Sequence, residues 1–215
     1  MNLEQVTRLS AFAASNNMSI EPLVLEGSHV RLEPLSLTHV ARLCDVGLDP
    51  EIWRWTHNTI GTPDEMRTYV QSALQMQNDG TALPFAIVER LSGKVVGSTR
   101  FGNIDKPHRR VEIGWTWIAR LWQRSAINTE SKYLLLKHAF EILGCMRVEF
   151  KTDSLNERSR AALLRIGATE EGILRNHMLT HTGRVRHSVY YSIIDSEWPL
   201  VKKGLEAKLL QSSNQ

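Results

Sequence analysis

The sequence predicts one α+β domain, in which helices cover both faces of a mixed, mostly antiparallel sheet. Two observations lead to this fold class. The chain has 215 residues, 42% of them hydrophobic, which is enough for one large core but not for two ordinary domains. The hydrophobic periodicity also changes along the chain, in the order strand, helices, three strands, helix, strand, helix, two strands. That order places one helical crossover within a series of antiparallel strands.

The first elements are predicted from alternation and from helix-capping residues. Val30 and Leu32 alternate with polar residues, as in a half-buried strand. Thr62-Pro63-Asp64-Glu65 combines an N-cap, a proline at the first helical position and an acidic first turn. These patterns predict a strand from about 29 that stops at Pro34, a helix at 38–47, a short irregular aromatic segment at 51–57 and a helix from 63 to about 78–80.

A three-stranded meander is predicted next. Two runs rich in apolar residues, 83–90 and 94–101, are joined by Leu91-Ser92-Gly93, which is typical of a hairpin. The third strand, at 110–119, carries Ile113, Trp115 and Trp117 at alternate positions. Three consecutive strands joined in this way pair antiparallel.

The second half of the chain begins with a helix that is apolar around most of its circumference. Asn128 is the predicted N-cap, and Gly144 ends the helix. A helix with so little polar surface packs against a sheet. The remaining patterns predict a strand at 146–152, a helix at 156–166, a hairpin of strands at 168–179 and 185–194, and a last helix from 196 to about 210.

These elements define the domain organisation. Residues 1–19 are predicted to form a flexible N-terminal extension, with one short helix between Leu3 and Phe12. Residues 20–198 form the predicted domain, and residues 199–215 form a C-terminal helix and tail. The nearly uncharged stretch at 9–20 is shorter than a bilayer-spanning helix and lacks the pattern of a signal peptide. The sequence therefore predicts a cytoplasmic protein that does not associate with a membrane.

The charges and the cysteines exclude several function classes. Lys and Arg number 26 against 23 Asp and Glu, a formal net charge of +3, and the charges are spread along the chain. This distribution argues against nucleic-acid binding as the main function. Cys44 and Cys145 lack the spacing of a zinc site or a disulfide framework. His177 and His181 have no third candidate ligand, and so no metal site is predicted.

The loop between the third strand of the meander and the apolar helix is a candidate anion site. A strand that turns directly into a helix points free backbone N–H groups and the positive end of the helix dipole at one place. Arg124 adds a positive charge at that place. An ordinary strand-to-helix turn has the same polarity, and so the loop alone leaves both interpretations open.

The loop and the segments after it resemble the GNAT superfamily of acetyl-CoA-dependent N-acetyltransferases, in the RimJ/RimL-like branch of ribosomal-protein N-acetyltransferases. The resemblance covers about residues 25–198. The family's motif is Gln or Arg, two residues, Gly, one residue, then Gly or Ala, and this chain has Gln123, Ala126 and Asn128 at those positions. Since the glycines are absent, we expect the loop to keep right-handed backbone angles at both positions. The coenzyme-binding residues that the resemblance implies are Ile118, Gln123, Arg124, Ser125, Ala126, Ile127, Asn128 and Asn156.

The resemblance also implies catalytic roles. Ile118 stands where the family's strand offers a backbone N–H to the thioester carbonyl. Glu112 matches the general-base glutamate of several branches, although a polar residue that faces solvent on an alternating strand would look the same. Ser159 stands where that branch has a serine near the departing sulfur. Asn and Ser are also common at helix N-termini, which leaves a purely structural role open for Asn156 and Ser159.

Trp53, Trp55 and His57 lie where the family shapes its acceptor pocket. Two aromatic side chains on an irregular segment form either a pocket wall or part of a core, and we expect a wall. The sequence thus predicts an N-acetyltransferase that transfers the acetyl group of acetyl-CoA to a primary amine, on a peptide or a small molecule, by direct attack in a ternary complex. The alternative is a non-catalytic acyl-CoA sensor or partner-binding module. The sequence leaves the acceptor and the oligomeric state open, a homodimer included.

Overall fold

A computed structural model describes residues 18–56 and 59–212. Eight strands and six α-helices lie in this part of the chain. In chain order they are β1 (Leu25–Glu26), β2 (Val30–Pro34), α1 (Val40–Gly47), α2 (Pro50–Trp53), α3 (Pro63–Asn78), β3 (Leu83–Glu89), β4 (Val95–Asp105), β5 (Arg110–Ile118), α4 (Ala126–Lys137), β6 (Arg147–Asp153), α5 (Glu157–Arg165), β7 (Thr169–Leu179), β8 (Val185–Ile194) and α6 (Trp198–Ser212).

All eight strands belong to one sheet, in the order β1-β2-β3-β4-β5-β6-β8-β7. Every neighbouring pair is antiparallel except β5 and β6, which are parallel. Parallel strands require a crossover connection, and α4 provides it. The predicted fold class, a mostly antiparallel sheet with one helical crossover, is confirmed.

The two faces of the sheet carry separate cores. On one face, buried residues of the strands pack with α4 and α6, among them Leu135, Phe150 and Tyr191. On the other face, α1 and α3 bury Leu43 and Met66 against the sheet. Helices therefore cover both faces, as the sequence predicts.

Most local predictions agree with the structure. Thr62 caps α3, and its capping box with Glu65 is complete. The segment predicted to be irregular at 51–57 contains one helical turn, α2, because Asp49 accepts a hydrogen bond from the backbone N–H of Glu51 and Pro50 stands at the first helical position. The short helix predicted between Leu3 and Phe12 lies outside the described residues.

The ends of the described chain pack onto the domain. Met18 is buried in the core on the α4 side, two residues before the predicted start of the domain. At the other end, the Trp198 ring stacks on Phe140 with 5.4 Å between centroids, and Leu205 is buried. Helix α6 is thus packed against α4 and the turn that follows it. None of the helices within residues 18–56 and 59–212 has the length and the apolar composition that crossing a bilayer requires.

Candidate active site

Strands β5 and β6 separate in the middle of the sheet. They pair only where Arg110–Glu112 face Arg147–Glu149. Beyond that point β5 stays paired with β4 as far as Ile118, and β6 stays paired with β8 as far as Asp153. Each strand keeps its outer neighbour and loses its inner one, which opens a wedge towards the carboxyl ends of the two strands. Ligands of sheets with parallel strands bind at this kind of position.

The N-terminus of α4 follows the end of β5 after a short loop that contains one 3-10 turn, Arg120–Trp122. Helix α4 begins at Ala126, and Ser125 is its N-cap, since the Ser125 hydroxyl accepts a hydrogen bond from the N–H of Ile127 at 3.3 Å. The same hydroxyl donates to the carbonyl of Trp122 at 2.6 Å. The prediction that Asn128 caps this helix is therefore wrong. Asn128 lies inside the first turn, where the backbone N–H groups lack intrahelical acceptors.

The backbone angles of the loop agree with the expectation for a glycine-poor motif. Ala126 and Asn128 are helical, while Arg124 has a positive φ of 62°. The left-handed residue therefore stands two positions before Ala126. Gln123 closes the loop, because its side-chain amide donates to the carbonyl of Ile118 at 2.9 Å. Arg124 is exposed beside the free N–H groups, and this arrangement suits an anion such as a diphosphate.

Glu112 lies at the vertex of the wedge, at the last position where β5 pairs with β6. It is 3% exposed, and so the alternative of a residue that faces solvent is wrong. Its Oε2 accepts a hydrogen bond from the side-chain amide of Asn103 at 2.7 Å and lies 3.6 Å from the Lys151 ammonium. A buried carboxylate with a hydrogen-bond donor and a cation beside it is held in one orientation.

Asn156 and Ser159 lie at the N-terminus of α5, after the end of β6. The side-chain oxygen of Asn156 accepts a hydrogen bond from the N–H of Ser159 at 3.1 Å, and so Asn156 is the N-cap of this helix. Ser159 is half-buried in the first turn. The cap role that the sequence left open for Asn156 is thus present in the structure.

The structure separates the two predicted tryptophans. Trp53 is buried in the core on the α3 side, where its Nε1 donates to the carbonyl of Gly47 at 2.7 Å. It packs there as a core residue and forms no pocket wall. Trp55 is half-buried, and its ring lies 5.8 Å from the guanidinium of Arg184. His57 lies outside the described residues.

A polar network that sequence reasoning missed connects Trp55 to Glu112. Asp153, at the end of β6, is buried and pairs with Arg184 and Arg186, and Arg186 also donates to the carbonyl of Trp55 at 3.4 Å. Further members are Ser188, His177, Tyr190 and Lys151.

Burial, together with the positive charges of Lys151 and Arg186, lowers the pKa of His177. Alternation along β6 places Lys151 on the same face as Glu149. This alternation is the sequence pattern from which the position of Lys151 in the network could have been predicted.

A buried lysine lies beneath the wedge. The Lys132 ammonium on α4 donates to the Thr116 hydroxyl of β5 at 2.9 Å and lies 5.6 Å from the ring of Phe150 on β6. Burial lowers the pKa of Lys132 from 10.5 to about 7, against the opposing effect of the Glu112 charge. In the described part of the chain, no three His, Cys, Asp or Glu side chains group closely enough to hold a metal ion.

A family model described as an acetyltransferase (GNAT) domain matches residues 29–169, which is most of the sheet together with the loop and the wedge. The chain belongs to the GNAT family of acetyltransferases. The resemblance of the loop motif to this family is therefore confirmed. Acetyl-CoA is the acetyl donor that the family uses in general.

Two curated relatives agree with this assignment. The chain is 37% identical over 106 residues to a Bacillus subtilis (strain 168) protein named "Putative ribosomal N-acetyltransferase YdaF", a match that spans 49% of this chain and 57% of that protein. It is 26% identical over 168 residues to the uncharacterized N-acetyltransferase p20 of Bacillus licheniformis, covering 78% of this chain and 93% of p20.

Solved structures share the fold. A GCN5-related N-acetyltransferase from Brucella melitensis is 33% identical, with a TM-score of 0.82, over 88% of this chain and 86% of that one. A ribosomal-protein-S5-alanine acetyltransferase from Vibrio fischeri is 16% identical, with a TM-score of 0.68, over 82% of this chain and 98% of that one. At 16% identity, the similarity to the Vibrio fischeri structure shows the fold alone.

Proposed function

We propose that this protein transfers the acetyl group of acetyl-CoA to a primary amine, on a peptide N-terminus or a small molecule, by direct attack of the amine on the thioester. The observation that carries the proposal is the wedge between β5 and β6, which opens onto the N-terminus of α4 and has the buried Glu112 at its vertex. An anion site and a carboxylate at the two ends of one opening are what this reaction needs.

The loop residues fit the coenzyme. Its diphosphate would bind the N–H groups of 125–128 and the charge of Arg124, since Ser125 already holds the start of the helix in place. Its extended arm would lie in the wedge, between the end of β5 and Asn156. Ile118, the last residue of β5, would offer its N–H to the thioester carbonyl, a donor that favours the charge developing on that oxygen.

Glu112 would accept the proton that the amine loses, directly or through one water molecule. Asn103 and Lys151 support this role, because they hold the carboxylate in one orientation at the vertex. Ser159 would donate a hydrogen bond to the sulfur as the thiolate departs. The C–N bond then forms as the C–S bond breaks, and no enzyme side chain carries the acetyl group.

A peptide N-terminus or another amine of low pKa suits this arrangement. An α-amine, with a pKa of about 7.7–8.0, is deprotonated at pH 7 at a cost of roughly 1 kcal/mol, whereas a lysine side chain costs about 4.6 kcal/mol. One carboxylate base is sufficient for the first case. We therefore place the acceptor beside Glu112 and Trp55, where the network of Asp153 and its two arginines supports the wall.

Substitution of Glu112 tests the proposal. Glu112→Gln keeps the shape but removes the base, and we expect kcat to fall about 100-fold or more with an amine acceptor. The thermal shift that acetyl-CoA produces should persist, since the coenzyme site is at the other end of the wedge. Glu149→Gln is the matched control, because Glu149 is the register partner of Glu112 on β6 and pairs with Arg147 and Arg110.

Three outcomes decide between the alternatives. Loss of turnover in Glu112→Gln with retained coenzyme binding supports the enzyme. Coenzyme binding by the wild-type protein without turnover on any amine supports a sensor and contradicts the proposal. Unchanged kcat in Glu112→Gln shows that Glu112 is not the base.

A further inference from the structure

Arg100 on β4 is a buried cation without a carboxylate partner. It is 2% exposed, and its single hydrogen bond runs from Nη1 to the Met76 sulfur at 3.5 Å. Its Nε has no partner. Among the side chains of residues 18–56 and 59–212, no carboxylate lies within 4 Å of this guanidinium. A buried charge is normally paired, and so this arginine lacks the partner that its charge requires.

Aromatic rings surround the guanidinium instead. The ring of Tyr69 on α3 lies 5.2 Å away, and the ring of Trp115 lies 5.1 Å away. Ring faces attract a cation but accept none of its N–H hydrogen bonds. The Tyr69 hydroxyl is itself buried without a partner. Two unpartnered donors, the Tyr69 hydroxyl and the Arg100 Nε–H, thus belong to one cluster, the Arg100 cluster (Tyr69, Arg100 and Trp115), and they lack an acceptor.

The Arg100 cluster borders the proposed base. In the register of β4 and β5, Arg100 pairs with Gly114 and Gly102 pairs with Glu112, so Arg100 and Glu112 are diagonal neighbours on one face. Diagonal neighbours lie about 7–8 Å apart, with their Cβ atoms somewhat closer. The Glu112 carboxylate leans over Gly114, since its Oε1 lies 2.8 Å from where a Cβ on that glycine would stand. The carboxylate therefore leans towards the strand position that pairs with Arg100.

Trp115 lies between this face and solvent. It occupies a bulge in β5, with a φ of 50°, and its ring lies over Gly102, so close that a Cβ there would be 2.3 Å from it. Trp115 is 38% exposed, whereas Arg100 and Glu112 are both buried. The Trp115 ring thus contacts both the Arg100 guanidinium and the position of Gly102, the register partner of Glu112.

We propose that Arg100 and the Tyr69 hydroxyl bind a carboxylate of the acceptor, so that the substrate is an amine that also carries a carboxylate a few bonds away. This inference rests on the proposed function and names its substrate class. The carboxylate supplies the negative charge that the buried guanidinium lacks and accepts from the unpartnered hydroxyl. The amine then lies at Glu112. The carboxylate belongs either to a free amino acid or to an acidic side chain near a peptide N-terminus.

Paired acceptors test the inference. For the free amino acid, the rates are compared for an amino acid and its carboxamide. For the peptide, they are compared for N-terminal peptides with Asp or Glu and with Asn or Gln at the first two positions. We expect kcat/KM to be at least 10-fold higher for the carboxylate member of one pair, through a lower KM. The pair that shows the preference identifies the source of the carboxylate.

Two variants assign the preference to the Arg100 cluster. Arg100→Met should remove it, bringing the two members of the pair to equal kcat/KM, while the thermal shift with acetyl-CoA persists. Tyr69→Phe removes only a hydroxyl that has no partner, so it should fold normally and reduce the preference about 3-fold or more. If Arg100→Met does not fold, Arg100→Lys, which keeps the charge but loses the planar fork, should lower the preference.

The outcomes separate this inference from the proposed function. Acetylation of both members of each pair at equal rates by the wild-type protein overturns the inference and leaves the proposed function standing. A preference that survives in Tyr69→Phe and in the folded Arg100 variant also overturns it. Coenzyme binding without acetylation of any amine overturns both.

Discussion

Replacing the buried Lys132 with methionine should stabilise the protein at neutral pH. The Lys132 ammonium makes one hydrogen bond, to Thr116, and Thr116 keeps a second partner in the Thr99 hydroxyl at 2.7 Å. Methionine has a similar volume and no charge to desolvate. The substitution therefore removes a charge that is costly to desolvate, and it leaves no buried acceptor without a hydrogen-bond partner.

The pKa of Lys132 gives the magnitude and the sign. Burial lowers it from 10.5 to about 7, so between these values the unfolded chain binds a proton that the folded protein does not. The cost of burying this lysine is complete below pH 7 and disappears as the pH rises towards 10.5. At 1.36 kcal/mol per pKa unit this cost is roughly 4 kcal/mol at pH 7 and falls by roughly 2–3 kcal/mol between pH 7.5 and 9.5.

Urea unfolding at several pH values between 7 and 9.5 measures this dependence. After about 1 kcal/mol is allowed for the lost hydrogen bond, we expect Lys132→Met to be more stable than wild type by roughly 3 kcal/mol at pH 7, with the difference shrinking as the pH rises. Lys137→Met, on the same helix at an exposed position, is the control. Its free energy of unfolding should change with pH in the same way as that of wild type. If the free energy of unfolding of Lys132→Met also changes with pH in the same way as that of wild type, the argument from burial is refuted.

Two other substitutions test how the site is supported. Glu130 is buried, and its carboxylate accepts three backbone hydrogen bonds, from Ser28, His29 and Val30, at 2.8, 2.6 and 2.7 Å; Glu130→Gln should cost roughly 3 kcal/mol in urea unfolding, and a change below about 0.5 kcal/mol would contradict this role. Ser125→Ala should cost about 1 kcal/mol through the lost cap of α4 and weaken acetyl-CoA binding in calorimetry, whereas unchanged affinity would show that the cap does not organise the coenzyme loop.

The local elements were predictable because their signals are local. The capping box of Thr62 and Glu65 involves residues that are neighbours in sequence, and the alternation of Val30 and Leu32 reports one buried face. The start of α4 was misplaced by a few residues, because Ser125 and Asn128 are both good caps. The left-handed backbone at Arg124 decides which of the two residues is the cap, and the residue type at position 124 does not predict that conformation.

Burial across the sheet was harder to predict. Alternation along β5 sets Glu112 apart from Val111 and Ile113, but it does not report whether another layer covers that face. Lys151 and Asn103 bury the carboxylate from the neighbouring strands. In the same way Trp53 and Trp55 look equivalent in sequence, yet only Trp53 has the core partners Tyr69 and Trp117.

The sequence by itself determined the α+β class, the order of the longer elements and, through the loop motif, the family. Periodicity, caps and turns act over a few residues, and the motif is contiguous. Only the tertiary structure decided where β5 and β6 part, which charges meet at Glu112, and that Arg100 lies buried without a carboxylate. These features depend on strand register and on a bulge at Trp115, which bring together residues far apart in the chain, and their energies depend on burial from several elements at once.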